Sequence, residues 1–517
     1  MKKINIYKAV TACTFASVLL CSMSSCTDGF QEANRPGTGA SLEDLSRDNY
    51  QTSSFLVQME NEAFPEQENA YQMNEDLIGN YLGRYMTYAN NGFTEKNFAR
   101  MNAPTGWVRY PFKDSMTKTV SAFKAIDNVT KGEGPVYAWA LILRAQSFMR
   151  LTDMYGPLPI GADATDGNAY SSQEDVYKSI IADLNKATDV IKPLVASNPN
   201  VTIAEELDKV YQGKMAKWLK YANSLKLRIA IRIRYVEPTL AKQLGEQAVQ
   251  DGVITSNDDN CAIAYTPNGQ YKTSVEWGDS RACADLESFL TGYNDPRLTK
   301  FFKPTEEAGN RAIIGCRAAA KIGNKTTAGK AYSAANIKQD SKGVWLTASE
   351  MAFCRAEGAL AGWSNMGGTA KSLYEEGVKL SFEQWGAGSA TAYLADNTST
   401  EKNYVDPISE YGGDVSAVSN ITIKWDDSAT DEQKMERLIT QKWIAMFPNG
   451  QEGWSEIRRT GYPKVFPLAQ STDYSIQVAN RIPFDIDEAT NNKANYIKAV
   501  QLLKGNDDYA TKMWWQR

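Results

Sequence analysis

Apolar residues recur at the three- and four-residue spacing of an α-helix, and this periodicity constrains the fold more than any other feature of the chain. In residues 171–192 it places Val176, Ile180 and Leu184 on one face, after a Ser-Ser-Gln-Glu start that is typical of a helix cap. Similar patterns occupy residues 68–90, 115–155, 207–250, 345–363, 369–382, 431–447 and 487–503. The sequence therefore predicts an all-α protein.

The connections between these segments predict how the helices are arranged. Most are short, polar and punctuated by Gly or Pro, which favours an α-solenoid of tetratricopeptide-like (TPR-like) helical pairs, although no strict repeat of about 34 residues aligns. Two loop-rich stretches, about 256–344 and 385–430, lack the helical period. Ordinary connections run about 4–6 residues, so we interpret both stretches as functional insertions within one helical domain, residues 51–517.

The composition excludes several classes of function. The 517 residues include no histidine, which rules out Ser-His-Asp and Cys-His catalysis and histidine-ligated zinc. The formal net charge is −5, and no basic stripe indicates a nucleic-acid partner. No phosphate loop or EF-hand loop is present, so neither a cofactor nor a metal is predicted, and calcium binding is left open.

The N-terminus predicts the compartment. Three lysines precede an uncharged stretch, residues 9–23, that is too short for the ~30 Å hydrocarbon core of a bilayer. Residues 1–25 are therefore interpreted as a secretion signal. The small residues before Cys26 resemble a bacterial lipobox, which implies cleavage there and a lipid on Cys26. A plain secretory signal is the alternative. The polar residues 26–50 are predicted to form a flexible tether.

The cysteines of the folded part match no zinc spacing. Three disulfide pairings remain open, and we favour buried free thiols because a large exported protein does not need disulfides to fold. These residues are Cys261, Cys283, Cys316 and Cys354.

Several blocks together resemble the SusD/RagB family of outer-membrane lipoproteins, and in particular its SusD-like subgroup. No single block is specific, but their order along the chain, with a lipobox at its start, supports the resemblance. The blocks are Leu143–Phe148 with Met154–Pro159, Ala222–Arg228, Asn294–Leu298, Ala352–Glu357, Gln441–Ala445 and Arg458–Pro463.

The resemblance implies a function in nutrient capture. It implies a TPR-like helical scaffold, anchored by lipid to the outer membrane and facing the exterior. It also implies a partner, a SusC-like TonB-dependent transporter on which the protein sits as a lid. The ligand implied is an oligosaccharide or polysaccharide, bound without catalysis and passed inward.

Aromatic side chains in the loop-rich segments are the candidate ligand contacts. Sugar rings present flat C–H faces that stack on Trp and Tyr, while amides and carboxylates bond the hydroxyls. For each residue alone, burial in a loop-to-core contact is the competing interpretation. Tryptophans within helices are assigned to the core instead. The candidates are Trp107, Tyr265, Trp277, Trp385 and Trp425.

Two alternative functions remain open from the sequence. A secreted glycoside hydrolase would need only a pair of carboxylates, whose spacing in space is not visible in a sequence. A structural lid for import of another nutrient, such as peptides, would need no sugar site. No catalytic residue is predicted.

Replacing the predicted lipidation residue tests the anchoring. We expect Cys26→Ala to abolish acylation and release the protein from the membrane fraction, because no other predicted segment holds it there. Mass spectrometry of the N-terminal peptide measures the lipid. Cys21→Ala is the matched control and should leave acylation intact; the opposite result would place the modified cysteine at position 21.

Overall fold

The computed structural model describes residues 50–161, 169–306, 312–469 and 475–517. The fold below is that of the unit Thr52–Arg517. The predicted signal, the predicted lipidation residue Cys26 and nearly all of the predicted tether lie outside the described residues. Among the residues described, no helix is both long and apolar enough to cross a membrane.

Helices dominate the described chain, which confirms the all-α prediction. The helices are α1 (Tyr50–Ala63), α2 (Glu68–Tyr71), α3 (Thr105–Tyr110), α4 (Thr117–Thr130), α5 (Gly134–Tyr155), α6 (Gln173–Ser197), α7 (Met215–Ile233), α8 (Pro238–Asp251), α9 (Ala284–Gly292), α10 (Leu298–Phe301), α11 (Lys325–Ala331), α12 (Ala348–Leu360), α13 (Ala370–Gln384), α14 (Thr391–Ala395), α15 (Asp431–Met446), α16 (Gly450–Thr460), α17 (Ile486–Asn491) and α18 (Lys493–Leu503). Segments of π-helix occupy Gln72–Asn80, Pro111–Met116 and Tyr271–Glu276.

Neighbouring helices pack as pairs, as the short connections predict. α5 packs on α6, α7 on α8, and α12 on α13. Local sequence sets their ends: the Ser172 side chain caps α6 by accepting from the Asp175 amide, and Thr369 forms a capping box with Ser372 at the start of α13. The helical-pair architecture follows from these caps together with the apolar faces between them.

Two short antiparallel sheets pin the loop-rich stretch 256–344 to the scaffold. The strands are β1 (Met86–Tyr88), β2 (Cys261–Ile263), β3 (Ser280–Ala282) and β4 (Gly343–Leu346). β1 pairs with β3, so that Thr87 lies opposite Arg281, and β2 pairs with β4. The predicted helix at 345–363 therefore begins late, at Ala348, because Trp345 belongs to β4.

The same stretch contains a helix that the periodicity did not indicate. α9 has nine residues, and every residue from Ala284 to Leu290 is buried. A helix that is buried on all sides shows no one-sided apolar pattern, which explains why it was missed.

The four cysteines of the folded part are all buried and free in the structure, which agrees with the prediction of free thiols.

The core combines tryptophans with full charges. Trp139, Trp218, Trp443 and Trp454 are fully buried, which confirms their assignment to the core. On α7, Arg228 lies 2.7 Å from Glu350 and Arg232 lies 2.5 Å from Asp153. On α16, Arg459 lies 2.6 Å from Glu357 and also 2.6 Å from Glu456 of the same helix. These buried charges thus occur as pairs, and most of the pairs join different helices.

Arginine neighbours keep the buried acids ionised. Burial disfavours the charged form of Glu357, but the charges of Arg459 and Arg234 outweigh it and lower the pKa of that carboxyl. Glu456 is held charged in the same way by Arg459 and by Lys442, 3.2 Å away.

Removing one of these buried cations should strongly destabilise the fold. We expect Arg459→Met to lower the free energy of unfolding by about 3–5 kcal/mol, since it removes the cation that two buried carboxylates share. Arg517→Met is the control, because Arg517 and Glu432 form an exposed pair at 3.3 Å, worth about 0–1 kcal/mol. Urea unfolding measures both variants. Equal, small losses would show that the buried network is not structurally important.

Candidate functional site

Three segments that are far apart in the chain meet at the carboxylate of Asp279. Its Oδ1 accepts hydrogen bonds from Asn90 Nδ2 at 2.8 Å and from Lys325 Nζ at 2.6 Å. Its Oδ2 accepts from Gln72 Nε2 at 3.3 Å, and its carbonyl accepts from the Ala89 amide at 2.8 Å. Asp279 therefore ties these segments together, while the Lys325 side chain remains 38% exposed.

An arginine fixes the helix that carries Lys325. Arg281 on β3 donates from Nη1 to the Ser274 carbonyl at 2.9 Å and from Nη2 to the Gly329 carbonyl on α11 at 3.3 Å. No carboxylate pairs with it among the residues described, and burial lowers the pKa of its guanidinium. Its role is thus to join α11 to β3, which places the Lys325 ammonium beside the Asp279 carboxylate.

Trp277 is held at the end of the π-helical segment Tyr271–Glu276. Its amide donates to the Lys272 carbonyl at 2.8 Å, and the Lys272 ammonium lies 5.3 Å from the centre of its ring. That ammonium also pairs with Glu276 at 2.6 Å and with Glu68 at 3.0 Å. These contacts hold a half-buried indole in place beside Asp279 in the chain.

Tyr265 lies near the same acidic side chain, Glu68. Its ring is half-buried, and the Lys209 ammonium lies 5.0 Å from the ring centre. Burial raises the pKa of the Tyr265 phenol, and the charges of Glu68 and Glu66 raise it further. The charge of Glu68 thus acts both on the Tyr265 phenol and on the Lys272 ammonium that lies over Trp277.

Trp107 lies on the short helix α3 rather than in a loop as predicted, and its ring contacts the turn at Asn91–Phe93. Its half-buried ring packs edge-on against Phe93, with ring centres 5.1 Å apart, and on Phe98 at 6.5 Å. In the same turn, Asn91 Oδ1 accepts from the backbone amide of Lys325 at 3.2 Å. Trp107 is thereby connected to the segment that carries the Lys325 side chain.

Three of the five predicted aromatics are thus linked to this part of the chain through intermediate residues: Trp277 through Lys272, Tyr265 through the charge of Glu68, and Trp107 through Phe93. We call the residues Trp107, Tyr265, Trp277, Asp279 and Lys325 the loop platform. It combines partly exposed rings with an ammonium group and the Asn90 amide. Such a set suits a ligand with flat apolar faces and many hydroxyls.

The other two predicted aromatics contact the core. Trp385 packs on Phe301 and Phe447, with ring centres 4.6 and 5.9 Å apart. Trp425 is 6% exposed, packs on Tyr374 and donates from Nε1 to Asp427 at 2.9 Å. Within the described ranges, neither contacts the loop platform. A ligand contact at Trp385 or Trp425 remains a prediction without support from this geometry.

Sequence reasoning missed the polar part of the loop platform. Asn90 and Asp279 are 189 positions apart, and Lys325 is 46 residues beyond Asp279. No local pattern joins them. The only signal in this region was its loop-rich composition, which indicates function without naming residues.

A second carboxylate, that of Asp76, lies near Asp279 but is fully buried. Burial raises the pKa of the Asp76 carboxyl to about 7; the Ser280 hydroxyl opposes this rise, and the charge of Asp279 adds to it. Neither of its oxygens has a well-formed hydrogen bond among the residues described. No group of acidic or cysteine side chains that could hold a metal occurs in the described ranges.

The comparisons with known proteins agree with this architecture. The family model described as "SusD-like: Susd and RagB outer membrane lipoprotein" matches residues 32–516. A SusD-like protein of Bacteroides thetaiotaomicron is 36% identical, with 90% of this chain and 98% of that one covered and a TM-score of 0.85. A SusD homologue of Bacteroides uniformis is 34% identical, with coverages of 91% and 100% and a TM-score of 0.85.

The name of a third similar structure states what that protein binds. This chitin-binding SusD homologue from Flavobacterium johnsoniae is 35% identical, with 90% of this chain and 98% of that one covered and a TM-score of 0.83. The search of curated proteins gave no match.

Fold and comparisons together define an outer-membrane lipoprotein with a TPR-like helical scaffold. The chain belongs to the SusD/RagB family, because the family model spans nearly all of it. The resemblance inferred from the sequence blocks is thereby confirmed.

The buried acid near the loop platform predicts a pH dependence of stability. A carboxyl whose pKa rises from 3.8 to about 7 on folding binds protons more tightly when folded, so its contribution to stability falls as pH rises between these values. We therefore expect Asp76→Asn to become more stable relative to the wild type as pH increases from 5 to 8, by on the order of 2 kcal/mol or more. Thermal melting across this pH range measures it.

The control variant, Asp396→Asn, should show the opposite dependence of stability on pH. Hydrogen bonds from the side chains and amides of Ser399 and Thr398 lower the pKa of the exposed Asp396 carboxyl. The ionised Asp396 carboxylate stabilises the fold at neutral pH, and this contribution disappears as pH falls. The stability that Asp396→Asn loses relative to the wild type should therefore become smaller in acid. A flat profile for Asp76→Asn would contradict the assignment of a raised pKa.

Proposed function

We propose that this protein captures a glycan at the cell exterior without modifying it and delivers it to a SusC-like TonB-dependent transporter. The single observation that supports this most is the loop platform, where the Lys272 and Lys209 ammonium groups lie over the half-buried rings of Trp277 and Tyr265 and the Lys325 side chain is partly exposed. Chitin-type saccharides are the first candidates, because a relative of 35% identity is described as chitin-binding.

We infer that the loop platform takes long ligands. Its aromatic side chains come from three separate segments, near residues 107, 265 and 277, and together they offer stacking faces to several sugar rings. Each stacking contact contributes about 0.5–1.5 kcal/mol beyond the buried area. Weak contacts of this size are most effective on a polymer that engages several of them at once.

The burial of the acid next to Asp279 argues against glycoside hydrolysis. Hydrolysis needs one ionised carboxylate and one protonated carboxyl flanking the scissile bond. Burial raises the pKa of the Asp76 carboxyl to about 7, which would suit the protonated member of such a pair. However, Asp76 is 0% exposed, and Asp279 already accepts three side-chain hydrogen bonds. A sugar cannot reach Asp76, which supports binding without catalysis.

Isothermal titration with chitohexaose, maltoheptaose and xylohexaose tests the binding. We expect Trp277→Ala to weaken the best of these ligands about tenfold or more, because a stacking face and its cation contact are lost. Tyr235→Ala is the matched control, since Tyr235 is also half-buried, 4.3 Å from an arginine, but belongs to no platform segment. Equal affinities for the two variants would remove the loop platform from the proposal.

The alternatives give different results in the same samples. Release of reducing ends from a bound glycan would indicate a hydrolase. If Asp279→Asn no longer released them, Asp279 would be identified as a catalytic residue. Co-purification with the transporter without affinity for any glycan would favour a structural lid for another nutrient, such as peptides.

A further inference from the structure

A surface cleft of about 410 Å³ lies between the start of α6 and the C-terminal residues, and it shares no residue with the loop platform. Gly156, Gln173, Glu174, Leu503 and Trp514 contribute to its lining. Its volume falls within the range of about 300–1,000 Å³ that is usual for small-molecule sites.

Trp514 is anchored in this cleft but keeps an unused hydrogen-bond donor. Its backbone amide donates to Gln173 Oε1 at 2.8 Å, and its ring lies 5.9 Å from that of Tyr177. The indole is half-buried, and its Nε1 has no acceptor among the residues described. The adjacent Trp515 differs, because it is fully buried and donates from Nε1 to Asp153 at 2.8 Å. Trp514 is therefore not a core residue of the same kind.

The floor of the cleft is apolar and is kept open by a glycine. Gly156 adopts a φ of +89°, and a Cβ there would lie 3.2 Å from Leu503 and 3.8 Å from Met513. Any other residue would be strained and would press on the side chains of the floor. Met513 is buried, whereas Leu502 at the edge is 38% exposed.

Charged groups of both signs lie at the rim. The Glu174 carboxylate is 38% exposed and pairs with Lys178 at 2.5 Å. The Lys512 ammonium donates to the Arg517 carbonyl at 3.0 Å. A purely apolar ligand would desolvate these groups, and Glu174 disfavours an anion. A neutral molecule with one flat apolar face and several hydroxyls satisfies the indole, the carboxylate and the ammonium together.

We propose that this cleft is a second carbohydrate site, which takes one or two sugar rings against Trp514. This inference rests on the proposed function, since it takes the ligand to be a glycan. Its consequence is bivalency: a polymer bound at both sites gains affinity through effective concentration, without any new contact at the loop platform.

Fluorine NMR of protein labelled with 5-fluorotryptophan tests the two sites separately. The chain has 12 tryptophans, and Trp514→Phe and Trp277→Phe assign the two relevant resonances. The probes are chitohexaose, maltoheptaose and xylohexaose, titrated into the full folded chain. We expect the Trp514 resonance to shift and saturate with a probe. Glu174→Gln should weaken that response about tenfold, because a charged acceptor is lost, and should leave the Trp277 response unchanged.

Each outcome separates the second site from the first. A shift of Trp277 with no shift of Trp514 overturns the second site and leaves the proposed function standing. If neither resonance shifts with any probe, both the second site and the proposed function are overturned. A shift of Trp514 alone supports the cleft and contradicts the loop platform. If Trp514→Phe fails to fold, the loss of the response in Glu174→Gln decides, since Glu174 is at the surface.

Discussion

Full charges buried between helices from distant parts of the chain are the constraint on which the rest of the structure depends. Arg228 and Arg232 on α7 pair with Glu350 on α12 and Asp153 on α5, and Arg459 on α16 pairs with Glu357 on α12. A buried pair of this kind need not be more stable than an apolar contact. It does penalise any other arrangement, because a helix that slides leaves an unpaired charge in the core.

This rigid interior determines where function can lie. The helical pairs bury their apolar faces and most of the charges that join them, so the scaffold offers a ligand its polar faces and helix ends. The loop-rich stretch 256–344 is then attached at a few points, the β1–β3 and β2–β4 ladders and the hydrogen bonds of Asp279. Aromatic side chains on such a stretch keep fixed positions although no long helix supports them.

The sequence predicted the scaffold well and the site only in part, for physical reasons. One-sided apolar patterns located α6, α7 and α13, but they failed for α9, which is buried on every side. Loop composition selected Trp277 and Tyr265, which are half-buried, and it also selected Trp425, which is only 6% exposed. Burial of a loop aromatic depends on what folds over it, and that information is not local. The pairing of Asn90 with Asp279 is non-local in the same way.

The tie at Asp279 has a consequence for how ligand preference can change among relatives. Asn90, Asp279 and Lys325 come from three separate segments, and Arg281 couples the last two through the Gly329 carbonyl. If one of these segments is exchanged into a homologous scaffold, either the Asp279 acceptor arrives without the Asn90 and Lys325 donors, or a donor arrives without the acceptor. The three segments should therefore be inherited as a linked set, and a chimaera that exchanges one of them singly should lose the hydrogen bonds that join them at Asp279.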